Sequence, residues 1–189
     1  MKGRAVRAYY KFMVDMAIIF GAEKARAEKE LLDSLRFQIT LAKVSFSSIE
    51  SKSVKHFVHQ QICLPNEKRR DANLLYNPFT LVEAQEKWPY LPWVEYINAL
   101  LPKGLQVDEK EVIIVSVPKF FDSLGVLLKN TPKRTIANYM MWRIHGFSSF
   151  FLTEELRKRQ LVYSTAVSGK QEQEPRWKEC IDITSGRYV

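Results

Sequence analysis

The sequence has 189 residues, 46% hydrophobic and 12% aromatic, which suits one packed domain or a piece of a larger one and excludes wholesale disorder. Seven glycines and eight prolines exclude collagen-like and low-complexity architectures. A formal charge of +8 could attract nucleic acid or an anionic surface, but the basic residues form short knots beside acids (Lys68-Arg69-Arg70, Lys133-Arg134, Arg157-Lys158-Arg159) and read as solvated helix faces.

Tyr9, Met13, Met16, Ala17 and Phe20 recur at three- and four-residue spacing, which predicts a first helix stopped at Gly21. A second helix is predicted from Glu23 to Lys43, with Ala27, Leu31, Leu35, Ile39 and Ala42 on its apolar face, so the two should form an antiparallel hairpin. Neither is a membrane span, because the most apolar run, Met13 to Ala22, is short and interrupted by Asp15. The basic start, Met1 to Arg7, is not built like a signal peptide.

Val44 to Gln61 is serine-rich, lacks a period and reads as a loop or insertion. Pro65-Asn66 and Asn77-Pro78 open turns, and Thr80-Leu81-Val82-Glu83 has capping-box spacing. Pro92 suits the first turn of a short helix with Trp93, Ile97 and Leu100 inward. Val112 to Val117 is the one strong strand candidate, bounded by Pro118. A helix from Pro118 carries Phe121, Leu124 and Leu128. The next, from Thr131-Pro132, carries Ile136, Tyr139, Met140, Arg143, Phe147 and Phe150. Thr153 with Glu154 and Glu155 starts another helix that ends at Gly169, and the last, from Pro175 to Ser185, brings Trp177 and Ile181 together. The expected fold is mainly α, a multi-helix array with at most one or two short strands.

The chemistry-bearing residues are few. His56 and His59 could share one helical turn, but a hydrolytic zinc site needs a third ligand and a carboxylate base, and His-Glu-x-x-His is absent. His145 sits among aromatic residues and reads as structural. Cys63 and Cys180 have no metal-ligand spacing; a bridge between them stays open, and two cysteines make no disulfide scaffold. Ser164 and Cys180 lack an identifiable partner base, and no nucleophile elbow, phosphate loop or dinucleotide fingerprint occurs. Trp88, Trp93, Trp142 and Trp177 read as core residues rather than a base-stacking platform. No catalytic, metal or substrate-binding residue is assigned.

Five stretches in order, Tyr9 to Asp15, Leu74 to Leu81, Val112 to Pro118, Ile136 to Arg143 and Arg176 to Cys180, resemble the N-terminal helical region of neprilysin and endothelin-converting-enzyme type zinc metallopeptidases, with arthropod neprilysin-like members nearest. The resemblance covers residues 1–189 apart from Val44 to Cys63. It implies the helical lobe that covers a catalytic lobe and admits only small peptides, on the extracellular side of the membrane or secreted. It places zinc and its ligands, on His-Glu-x-x-His and a downstream glutamate helix, outside this segment. The partners it implies are the catalytic lobe of the same polypeptide and small peptide substrates, with no nucleic acid. Cys180 matches a family cysteine whose disulfide partner lies upstream, so here it is expected to be an orphan.

Two departures stand out. Residues 44–63 are expected to be a non-family insertion, resembling translated non-coding sequence. The end, Ser185 to Val189, reads as cut short, so the chain is expected to be a fragment of a metalloendopeptidase, inactive alone. The competing reading from composition is a basic helical module that binds nucleic acid or another anionic partner.

Overall fold

The computed structural model describes residues 3–46 and 71–188. In order these form α1 (Arg4–Ile19), α2 (Lys24–Phe46), α3 (Ala72–Leu75), β1 (Pro78–Thr80), α4 (Leu81–Lys87), α5 (Trp93–Leu100), β2 (Val112–Ile114), α6 (Pro118–Asn130), α7 (Lys133–Ser148), a 3-10 turn (Ser149–Phe151), α8 (Glu154–Ser168) and α9 (Arg176–Tyr188). The fold is mainly α, as expected. It divides into two units, Met1–Arg36 with Arg134–Val189, and Phe37–Lys133.

The first unit grows from helical periodicity. Phe12, Met13, Val14 and Met16 of α1 are buried, as are Ala27, Leu31 and Leu35 of α2. After α1, Gly21 turns the chain at φ 91, a backbone conformation that costs a side-chain-bearing residue about 1 kcal/mol. The two helices are tied where the Tyr10 hydroxyl donates to the Glu28 carbonyl at 2.7 Å. Against α1 lies α8, with the Phe12 and Tyr163 rings stacked at 5.3 Å between centroids. Trp142 of α7 meets Phe12 edge-on at 5.4 Å and donates its indole N–H to the Tyr9 hydroxyl at 2.6 Å.

That aromatic contact corrects the expected inward face of α7. Met140 is 58% exposed and Phe147 is also exposed, while Trp142 is buried. An apolar stripe does not by itself say which side faces the core. Here the ring with a partner for its N–H goes in, and Gly146, four residues on, leaves it room; a Cβ on Gly146 would stand 3.4 Å from the indole. Two further expectations fail alike: Phe20 is half exposed, and Trp177, read as a core residue, is 66% exposed on α9.

The second unit is organised by turn and cap chemistry. The capping box is formed: the Glu83 backbone N–H donates to the Thr80 hydroxyl at 3.2 Å, and the Thr80 N–H donates to the Glu83 carboxylate at 2.7 Å. The two strands pair antiparallel, with Phe79 opposite Ile113. β1 was not expected, because three residues between a turn and a cap carry no alternation to read, and β2 is shorter than the predicted Val112 to Val117. The core comprises Leu81, Ala84, Trp88, Trp93 and Val115, with Phe79, Ile97 and Phe121 packed on it. Leu100, expected inward, is 68% exposed.

Polar locks fix this core. The Trp88 indole donates to Asp122 at 2.8 Å, the Tyr90 hydroxyl to the Phe121 carbonyl at 2.6 Å, and Asn98 exchanges two hydrogen bonds with the Val107 backbone. The residue-44 to residue-63 segment enters the described structure only through the last turn of α2. His56, His59, Cys63 and the Pro65-Asn66 turn lie outside the described residues.

Candidate functional site

Within the first unit, α1, α2 and α7 leave a cavity of about 610 Å³, in the size range of small-molecule sites. Its floor is apolar: Met13, Met16, Ala27, Leu31 and Trp142 come from the buried faces of the three helices. Its polar wall centres on Glu30. One carboxylate oxygen accepts from Nε of Arg26 and from Nε of Arg134, both at 2.9 Å. The other accepts from Nδ2 of Asn138 at 2.8 Å. These bonds, Arg26 first and Asn138 next, hold the Glu30 carboxyl below the usual range, since donors favour the charged form. Buried Ser34 donates to the Glu30 backbone carbonyl at 3.1 Å and keeps the turn in place.

Sequence reading gave no site role to Glu30, Arg134 or Asn138, although Arg134 was noted as part of a basic knot and Asn138 as part of a family-like stretch. Glu30 lies 104 and 108 residues from its two α7 partners, and no local pattern announces a contact across such a separation. The residues it did single out are not brought together. His145 is on the cavity edge, packed on Phe20 with 4.8 Å between rings. Cys180 is free and exposed on α9, and Ser164 is half-buried on α8. Trp88, Trp93 and Trp142 are core residues as read.

Among the described residues no three His, Cys, Asp or Glu side chains stand together as a metal site would require. A zinc ion therefore finds no fitting donor set in the described part of the chain. Among the same residues no helix is long and apolar enough to cross a membrane. Among the described residues, members of two basic knots are engaged by acids: Lys158 with Glu154 at 2.8 Å, Arg159 with Asp15 at 3.8 Å and Arg134 with Glu30 at 2.9 Å; Lys68-Arg69-Arg70 lies outside the described residues.

The N-terminal model of peptidase family M13 matches residues 2–188, nearly the whole chain. The chain belongs to peptidase family M13. Neprilysin-2 of Drosophila melanogaster is 55% identical over 180 residues, 95% of this chain and 21% of its own length. Endothelin-converting enzyme 1 of Rattus norvegicus is 29% identical over 171 residues, 85% of this chain and 22% of its own. The fold matches that of the zinc metalloprotease Zmp1 of Mycobacterium tuberculosis in its open state, with a TM-score of 0.72 at 21% identity, over 96% of this chain and 25% of that one. This M13 chain thus spans about a fifth of the length of the curated relatives it matches.

Proposed function

We propose that the chain is the noncatalytic helical lobe of a neprilysin-type zinc metalloendopeptidase, restricting entry to the active-site cavity so that only small peptides are cut. The observation that carries this reading is the match of the family's N-terminal model from residue 2 to residue 188, in a sequence without His-Glu-x-x-His. In this reading the zinc-bearing segment belongs to a part of the polypeptide outside these 189 residues, and the catalytic lobe is the chain's partner. The parent enzyme works on the extracellular side of the plasma membrane or is secreted, and Cys180, free among the described residues, matches a family cysteine whose disulfide partner lies outside them. Residues 44–63 are an addition to the family pattern; a spliced transcript that encodes them would count against their origin as unspliced sequence.

Exposed apolar side chains support a lobe made to be covered. Met140, Met141 and Ile144 on α7, and Trp177 and Ile181 on α9, are each about half exposed or more, which is more than an ordinary monomer surface needs to show on helix faces. A chimera tests the reading: this segment replaces the matching fifth of Neprilysin-2. The chimera should retain chelator-sensitive cleavage of short peptides and refuse a folded protein substrate. Cleavage of both at equal rates would contradict a lobe that limits access.

A further inference from the structure

Helix α7 is occupied on two opposite sides by different means, and only one of them faces the core. Trp142 and Ser149, seven residues apart, are buried, Trp142 against Phe12 and Tyr9. Across the helix from them Ala137, Met140, Ile144, Phe147 and, on the following turn, Phe151 recur at alternating three- and four-residue spacing. That spacing keeps one stripe in line with a neighbouring helix. All five are exposed, the four large ones by about half or more, and the Phe147 and Phe151 rings lie 6.2 Å apart, continuous along the row. A surface helix ordinarily has one inward stripe and a polar back; α7 has an apolar back.

Size and symmetry say what fits there. Taken at about 200 Å² per large side chain, Met140, Met141, Ile144, Phe147 and Phe151 expose roughly 550 Å². A standard interface buries about 800 Å² on each partner, so this row supplies most of one. It is also complementary to itself. Turned antiparallel about a two-fold axis between Ile144 and Phe147, it sets Ile144 against Phe147 of a second copy and Met140 against Phe151 of that copy. A slender side chain then faces a broad ring at each level, as interdigitating layers require. Charge on the stretch is confined to Lys133 and Arg134 at its start and to Arg143. In this register Arg143 comes level with Ser148 of the second copy, and no two like charges meet.

From the spacing, area and symmetry of this row we infer that the 189-residue chain self-associates, α7 of one copy docking antiparallel on α7 of another. The inference does not rest on the lobe reading, in which the remaining polypeptide of the parent enzyme would take the same face.

Sedimentation equilibrium of the purified chain across the micromolar range tests it. The mass should rise to twice the 22.1 kDa of one chain and stop there. Ile144→Glu with Phe147→Glu should return it to that of one chain, with helical circular dichroism unchanged. The register is read by disulfide formation in a chain carrying Cys63→Ser and Cys180→Ser. Met140→Cys with Phe151→Cys places two thiols about 16 Å apart along one helix, too far to bridge within a chain, and should link two chains; Met140→Cys alone should not. This paired substitution reports the contact even if the glutamate variant fails to fold. A mass that stays at one chain, or climbs past two without a plateau, would overturn the inference. So would a dimer indifferent to the folded glutamate variant, no link from the paired substitution, or a link from Met140→Cys alone. None of these outcomes bears on peptide cleavage, so the dimer and the lobe reading stand or fall separately.

Discussion

The two units hold together by different means. Phe37–Lys133 is short-range and punctuated: a capping box, a three-residue ladder, an asparagine clamp and two aromatic side chains whose polar atoms each reach one acceptor. Met1–Arg36 with Arg134–Val189 is long helices meeting through rings, and its polar contacts include the partly exposed Glu30 cluster and the exposed Lys158–Glu154 pair. Specific hydrogen bonds with one buried partner define a structure sharply, because losing one strands the other. Surface ion pairs define it weakly. The contrast suggests that the first unit depends more on what covers its exposed helix faces than the second does.

Substitutions can break this contrast. The largest effect is expected for Trp88→Ala, which removes a ring that is 1% exposed at the centre of the second unit. It should cost about 4 kcal/mol in urea denaturation, whereas Trp93→Phe, which deletes an indole N–H that has no partner, should change stability by less than about 1 kcal/mol. If the two cost the same, the polar locks do not set the hierarchy. Gly125→Ala comes next. A Cβ there would stand 2.6 Å from Cε1 of Tyr90, so the ring must move and its bond to Phe121 goes with it, at about 2 kcal/mol. Glu30→Gln in the first unit should cost only about 1 kcal/mol by thermal melting, because its side chain is 27% exposed and two of its donors are largely solvated. A loss above about 3 kcal/mol would show that the first unit is lock-held after all.

The smallest effect is a pH dependence. Burial first, and the nearby Asp122 second, push the Tyr90 phenol up to about 12, against about 10 in an unfolded chain. The folded state then keeps a proton that the unfolded state releases. This contribution is whole below about pH 10 and is lost as pH rises from about 10 through about 12. Burial also pushes up the phenols of Tyr10, Tyr139 and Tyr163, so phenolate absorbance should show a late-titrating set of tyrosines that loses one member in Tyr90→Phe; an unchanged titration would place Tyr90 outside that set.

Sequence reading succeeded where one residue type settles a local question. Thr80 with Glu83 could be read as a cap, and Gly169 as a helix stop that indeed sits at φ 78. The helices of the first unit were readable by period, and their existence held. Their facing was less readable: α7 offers aliphatic side chains on more than one side, and the deciding interaction, Trp142 with Tyr9, spans 133 residues. β1 was invisible because a strand of three residues exists only through β2 opposite it. The family resemblance was readable because several short motifs keep their order. The cavity was not, since its wall joins Glu30 to residues of α7 that share no motif with it.

The most direct test of the account is peptide hydrolysis by the purified 189-residue chain, measured with and without a zinc chelator in the presence of added zinc. A noncatalytic lobe should give no hydrolysis above the buffer blank under either condition. Turnover of a short hydrophobic peptide that the chelator abolishes would show that the chain carries its own catalytic metal, and would contradict the proposal at its centre.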